Sequence, residues 1–309
     1  MNKLIIFLVV FSTMFFANTD FFSKWDIFMV SNDKLYQIKG NSKEYVSIFY
    51  EDKQVDLIGK LILKKDNFLH YAVIENNTSD ERDILLINGE GELQKINKMH
   101  KKIDNILDIS SNGEMQIGFE YGMPRILYLS TQEEIVTIDK GELFQALFTV
   151  DDKFIIYEKD LGIYRYDIET RKKEYLFKLE KYLNFGDISV DNTRILCTNS
   201  EDLMVLNIET KKLELIKHFE PHIFQYRTME GSPIILKGKA KWLPDESGMV
   251  YTKYTFEHYI ANIFVSFGVE QYAKPDLFWY DLETGKEEYL MSGASKWGFG
   301  IRRKVSEEK

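Results

Sequence analysis

Apolar and polar positions alternate along most of the chain in short runs separated by turn-forming clusters, the period-2 pattern of half-buried β-strands. One unit recurs. Ile163 to Phe177 reads Ile-Tyr-Arg-Tyr-Asp-Ile-Glu-Thr-Arg-Lys-Lys-Glu-Tyr-Leu-Phe, and related stretches run from Leu203 to Ile216 and from Leu277 to Met291. Each is an apolar run, a Glu-Thr-x-Lys turn and a second half-apolar run, which predicts an antiparallel hairpin. One hairpin cannot bury its own face, so the recurrence predicts a stacked or circular array.

A second recurring element carries an Asp/Asn-rich turn between apolar runs. Taking Asp66, Ser111, Asp151, Asp191 and Asp245 as equivalent, the intervals are 45, 40, 40 and 54. Asp and Asn suit such turns because their side chains bond the local backbone and tolerate left-handed dihedrals. The repeat is therefore four strands, a turn b then c turn d, about 40 residues long. Six c–d hairpins are expected, around Gly40, Gly89, Thr131, Thr170, Thr210 and Thr284, but only five a–b turns. The missing first strand finds its match at the other end, where Ala294 to Ile301 has nothing to pair with. Pairing it with a strand over Trp25 to Ser31 completes the first unit and removes exposed sheet edges.

Against this ruler two insertions stand out, residues 219–239 and residues 255–275. The first is a d–a connection and the second a b–c connection. In an up-and-down unit both emerge on one face, opposite the a–b and c–d turns. Loops on a rigid scaffold are where binding groups concentrate.

The pattern resembles the TolB-type, WD-like β-propeller repeat, in which a Ser-Pro-Asp-Gly-like turn joins strands a and b and an Asp-x-x-Thr-Gly-like turn joins c and d. Pro244-Asp245-Glu246-Ser247-Gly248 and Asp281-Leu282-Glu283-Thr284-Gly285-Lys286 match best, and Asn207 stands where Asp167 and Asp281 stand in their copies. The resemblance implies an all-β fold of six four-stranded antiparallel blades, or seven if residues 219–240 hide another, covering 18–309 as one domain. It specifies a fold and not an activity.

The 309-residue chain is long enough to bury a core without disulfides or metals, and its 22 Phe and 18 Tyr suit strands. A net charge of −9 repels phosphate runs, so nucleic acid is not an expected partner. The lone Cys197 sits in an apolar run and reads as a buried thiol. Lys3 and the apolar run Leu4 to Ala17 predict an export signal, with Ala17 the last residue removed. Phe15 departs from the small-residue rule three positions before that cut, which leaves an uncleaved anchor open. Export places the protein in the bacterial periplasm or outside the cell, touching membrane only through residues 1–17 if they remain.

Candidate chemistry gathers on the insertions. His218, His222 and His258 could ligate a metal, with Gln225, Tyr226, Arg227 and Glu257 nearby, although the same residues suit a polar loop that binds nothing. Tyr254, Phe256, Tyr259, Ile260, Ile263, Phe264 and Phe267 have helical spacing and read either as a helix packed on the propeller or as a platform for a partner or a sugar ring. Some polysaccharide lyases resemble this arrangement in placing a His-bound metal above a propeller. No Gly-x-Ser-x-Gly elbow, phosphate-binding glycine loop, His-Glu-x-x-His or paired cysteine ligand is present. The expected function is a monomeric protein-binding or assembly module of the envelope or exterior, using the insertion face and no cofactor. The alternative is a carbohydrate-active enzyme or sugar sensor with a His-lined site there.

Overall fold

The computed structural model describes residues 19–31, strand segments between 34 and 98, most of 103–219, and 235–253, 276–291 and 299–303. A short helix, α1 (Thr19–Lys24), leads into β1 (Trp25–Ser31), β2 (Lys34–Lys39) and β3 (Ser42–Val46). A two-residue-stranded hairpin, β4 (Phe49–Tyr50) and β5 (Lys53–Gln54), follows; nothing in the repeat pattern announces it. The second sheet holds β6 (Leu61–Leu63), β7 (His70–Glu75), β8 (Arg82–Ile87) and β9 (Leu93–Lys98). The third holds β10 (Asn105–Ile109), β11 (Gln116–Glu120), β12 (Arg125–Ser130) and β13 (Ile135–Gly141). The fourth holds β14 (Phe144–Phe148), β15 (Phe154–Lys159), β16 (Gly162–Asp167) and β17 (Lys173–Lys178). The fifth holds β18 (Asn184–Ile188), β19 (Arg194–Thr198), β20 (Asp202–Asn207) and β21 (Lys212–His218). The sixth holds β22 (Ile235–Trp242), β23 (Gly248–Lys253), β24 (Asp276–Asp281) and β25 (Glu287–Met291).

The last strand, β26 (Phe299–Arg303), pairs antiparallel with β1, from Trp25 opposite Arg303 to Met29 opposite Phe299. The first sheet thus has the order β26-β1-β2-β3, joining the first and last described strands. Among the described residues there are six four-stranded antiparallel sheets, each strand but β26 pairing with a sequence neighbour, as in a multi-bladed β-propeller. Residues 220–234, where a seventh sheet would have to lie, fall outside the described residues.

The core lies in the seams between blades. In β20, Leu203 and Val205 pack toward the sixth blade with Trp242, Met249 and Tyr251, while Met204 and Leu206 pack toward the fourth with Ile156 and Ile163. Both faces are buried, which is why this strand reads as a continuous apolar run. Cys197 joins the seam toward the fourth blade and is wholly buried, as expected; burial pushes its thiol pKa up.

Two polar devices tie neighbouring blades together. The motif Asp-Ile-Ser occurs at Asp108 and at Asp187, each just after a register shift in the innermost strand. A bulge of this kind re-aims a side chain. Asp108 accepts a hydrogen bond from the Phe148 backbone N–H at 2.8 Å, and Asp187 accepts one from Trp242 at 3.0 Å. Gly186 at the second bulge is required by close approach: a Cβ there would meet the Ala240 carbonyl oxygen at 2.5 Å.

The second device sits on the a–b turns. Asp152, Asn192 and Glu246 adopt left-handed φ of 55°, 62° and 58°. Each accepts a backbone N–H from the turn of the preceding blade: Ser111 donates to Asp152 at 2.8 Å, Val150 to Asn192 at 2.6 Å, and Val190 to Glu246. The turn hydrogen bonds from Gly113 to Ser110 and from Asp152 to Thr149 align Asn112, not Ser111, with Asp151. On the c–d turns Asp167, Asn207 and Asp281 each accept the N–H three residues on at 2.7 Å, so the Asn at 207 preserves the turn.

Candidate functional site

The b–c and d–a connections share one face of every blade, fixed by the antiparallel strand order. In the fourth blade the b–c connection is only Asp160 and Leu161, both with positive φ, and the Leu161 N–H is held by the buried Glu158 carboxylate at 2.6 Å. In the sixth blade the chain leaves the sheet at Lys253 and re-enters at Asp276, and these two residues lie directly opposite each other in the ladder. Residues 254–275 are therefore rooted at one cross-strand pair.

The other insertion starts beside it. β21 ends at His218 and the chain continues through Phe219, which is buried in the seam between the fifth and sixth blades. The Lys253 ammonium lies 4.8 Å from the Phe219 ring centroid and 4.0 Å from that of Phe278, within cation–π range of both. The same ammonium donates to both carboxylate oxygens of Glu287, at 2.8 and 2.9 Å. Glu287 also accepts from the Tyr251 hydroxyl and pairs with Lys217 at 3.0 Å. Burial works against ionisation of Glu287, but the hydrogen bonds from Lys253 and Tyr251 and the charges of Lys253 and Lys217 outweigh it and hold its pKa low. Burial pulls Lys253 below the ordinary lysine range while the Glu287 carboxylate pulls back.

The fourth blade carries the same Tyr-x-Lys pair with the flanking charges exchanged. Asp139 of the third blade accepts from Tyr157 at 2.8 Å, Lys159 at 2.9 Å and Lys173 at 2.8 Å. There the acid stands on the preceding blade and the extra lysine on the blade itself; at the insertions the lysine is on the preceding blade and the acid on the blade itself. Burial raises the Asp139 pKa, yet the two lysines, the Lys140 backbone and the Tyr157 hydroxyl bring it down to about 2.

Of the residues singled out from sequence, His218 is described. Its Nδ1 lies 2.7 Å from Asp202 Oδ1, and Asp202 also accepts from Asn199 at 2.6 Å and Lys181 at 3.1 Å. The Asp202 pKa is raised by burial but lowered more by His218, Asn199 and Lys181, leaving it below the usual range. The carboxylate fixes the imidazole ring by one nitrogen, the arrangement found behind metal-ligating histidines. Among the described residues no group of three His, Cys, Asp or Glu side chains is placed to hold a metal. His222, Gln225, Tyr226, Arg227, Tyr254, Phe256, Glu257, His258 and Tyr259 lie outside the described residues.

Sequence reasoning missed Asp202, Lys217, Phe219, Lys253 and Glu287. Of these only Lys253 carries a signal in the sequence, the repetition of Tyr157-Glu158-Lys159 as Tyr251-Thr252-Lys253.

No family model and no curated protein matches the sequence. Solved structures do match the fold. TolB from Acinetobacter baumannii superposes with a TM-score of 0.58 at 15% identity, covering 91% of this chain and 66% of that one. A putative TolB from Agrobacterium tumefaciens gives 0.53 at 14%, covering 91% and 98%. A chain of a nidogen/laminin complex gives 0.52 at 9%, covering 90% and 98%. At these identities the likeness shows the fold, a multi-bladed β-propeller, and says nothing of activity.

Proposed function

We propose that this chain is an exported β-propeller that works as a protein-binding or assembly module in the bacterial envelope or outside the cell, through the face carrying residues 219–239 and 255–275. The observation that carries this reading is the contact between Phe219 and Lys253, which puts the roots of both insertions side by side over one seam. Side-by-side roots join both insertions to one rigid support at neighbouring points, and the aromatic residues Tyr254, Phe256 and Tyr259 with Arg227 supply the side-chain types that anchor interfaces. The apolar run Leu4 to Ala17 supports export. Likeness to a chain solved within a nidogen/laminin complex supports a partner that is a protein.

Deleting residues 256–273 tests the reading. Partner capture from the envelope fraction should be lost while the thermal midpoint stays nearly unchanged. An unaltered partner set sinks the proposal.

The pairing of His218 with Asp202 supports a second reading, a carbohydrate-active enzyme or sugar sensor using His218, His222 and His258. Metal analysis of the purified protein and a screen against acidic oligosaccharides separate the two: bound metal with turnover or sugar binding favours the second.

A further inference from the structure

The fourth strand of each blade has a sheet neighbour on one side only, so β21 is the outer edge of the fifth blade. An exposed edge is a template for another strand unless charges, bulges or cover blunt it. In β21 the register shift beside Leu215 and Lys217 bends the strand at Ile216 and leaves Lys212 to Leu215 as a regular edge. All four of these residues are exposed, Leu213 to 38% and Leu215 to 57%. The outer strands of the third and sixth blades bury apolar residues instead, Ile138 on β13 and Leu290 and Met291 on β25.

The ladder fixes which groups face outward. In the fourth blade the Asp167 N–H donates to the Lys172 carbonyl at 2.9 Å, and Asn207 and Lys212 are the counterpart pair in the fifth. With that pair hydrogen-bonded, alternation along an antiparallel ladder turns the N–H and C=O of Leu213 and Leu215 away from β20. A strand added to β21 bonds to Leu213 and Leu215, and Lys212 and Glu214 fall at the non-hydrogen-bonded positions, where side chains stand closest.

Those positions carry opposite charges two residues apart, which makes the edge complementary to itself. Two copies of β21 laid antiparallel about Leu213 set each Lys212 opposite the partner's Glu214. The two Leu213 side chains then meet, with Leu215 on the same face. Centring the pair on Glu214 would oppose two carboxylates, and centring it on Leu215 would run it into the bulge. Opposite charges directly across a ladder stabilise it, and like charges there destabilise it.

We propose that β21 is the seat of a symmetric contact between two copies of this chain, an edge-to-edge pairing centred on Leu213, in place of the single propeller expected from the sequence. A ladder this short makes a small contact, of the exchangeable rather than the obligate kind. The pair carries two insertion-bearing faces, so a target that repeats would be held at two points. The contact is independent of the function proposed above and holds whether or not the insertions bind a protein.

Cys197 is wholly buried, so introduced cysteines report alone. Two full-length copies with different tags are co-expressed, one carrying Lys212→Cys and the other Glu214→Cys, and are oxidised mildly in the cell. In the proposed register these positions face each other, whereas like positions lie on a diagonal of about 7 to 8 Å, beyond the usual disulfide reach. The expected result is a covalent dimer holding both tags, several-fold more abundant than from copies that both carry Lys212→Cys or both carry Glu214→Cys. Without cysteines, capture of one tag by the other should fall several-fold when both copies carry Lys212→Glu or both carry Glu214→Lys, and should return when each chain carries both reversals. That recovery shows that the single variants fail at the contact and not in folding. Equal yields from mixed and matched pairs, single reversals without effect, or a double variant that does not recover overturns the proposal. So does a covalent link from either position to a different protein with none between the tags.

Discussion

The ammonium of Lys253, the last strand residue before one insertion, packs 4.8 Å from the ring of Phe219, the first residue of the other. Two segments 34 positions apart in sequence thereby share a root, and Glu287 holds that root by charge.

Glu287→Gln should be the most damaging change at this root. It leaves Lys253 and Lys217 facing each other in a seam where their side chains are 15% and 28% exposed. Removing one partner of a buried pair costs about 3 kcal/mol or more. Lys253→Met, which fills the same volume and leaves Glu287 with Lys217 and Tyr251, should cost about half as much. Urea unfolding of the two single variants and the double variant measures both costs and their coupling.

Asp139 sets an acid limit. Its folded pKa of about 2 lies below the unfolded value near 3.9, so the protonated form is disfavoured in the fold. The stabilisation, roughly 2 to 3 kcal/mol, is complete above about pH 5 and is lost as pH falls toward 2. Glu287 acts in the same direction. Asp139→Asn should therefore be less stable than the parent at pH 7, with the gap closing by pH 2. Thermal midpoints across pH 2 to 7 check the sign.

The turn clasps between blades can be tested at Asn192. Asn192→Gly tolerates the left-handed φ but removes the acceptor for the Val150 N–H, and should cost about 1 kcal/mol. Asn192→Asp retains an acceptor and should cost less. Lys211, at φ 60° on a c–d turn, predicts the reverse outcome: Lys211→Gly should stabilise by up to about 1 kcal/mol, the strain relieved less the added unfolded-state entropy.

Gly186→Ala forces a Cβ against the Ala240 carbonyl, so the inner strands of the fifth and sixth blades must separate. A loss of about 1 to 3 kcal/mol is expected by denaturant titration.

Much of the fold was legible because propeller strands report themselves locally. The Glu-Thr-x-Lys hairpins, the strand at Trp25 to Ser31 and its pairing with the chain's other end all follow from alternation and turn chemistry. The C-terminal strand is described from Phe299 to Arg303 rather than from Ala294, and β22 already begins at Ile235, inside the range read as insertion. The bulges before Asp108 and Asp187 were not legible, since what fixes them is a backbone N–H about 40 or more residues away on the next blade. α1 was hidden because six residues carry too little periodicity to read as a helix, and what buries Phe21 and Phe22 is a seam with the sixth blade, far away in sequence. At the candidate site, His218 was visible as a residue type. Lys253 and Glu287 were not, because a charged residue in a strand reads as solvent-facing until the partner blade is known.

The proposed binding of partners on the insertion-bearing face has a direct test. Photo-crosslinking amino acids placed one at a time at His222 and Phe256 on the insertions, and at Glu283 and Thr170 on the opposite turns, test it in the exporting cell. A discrete covalent adduct is expected from 222 and 256, lost when residues 256–273 are deleted from the 222 variant, with no protein adduct from 283 or 170. A protein adduct from the turn positions with none from the insertions would contradict it.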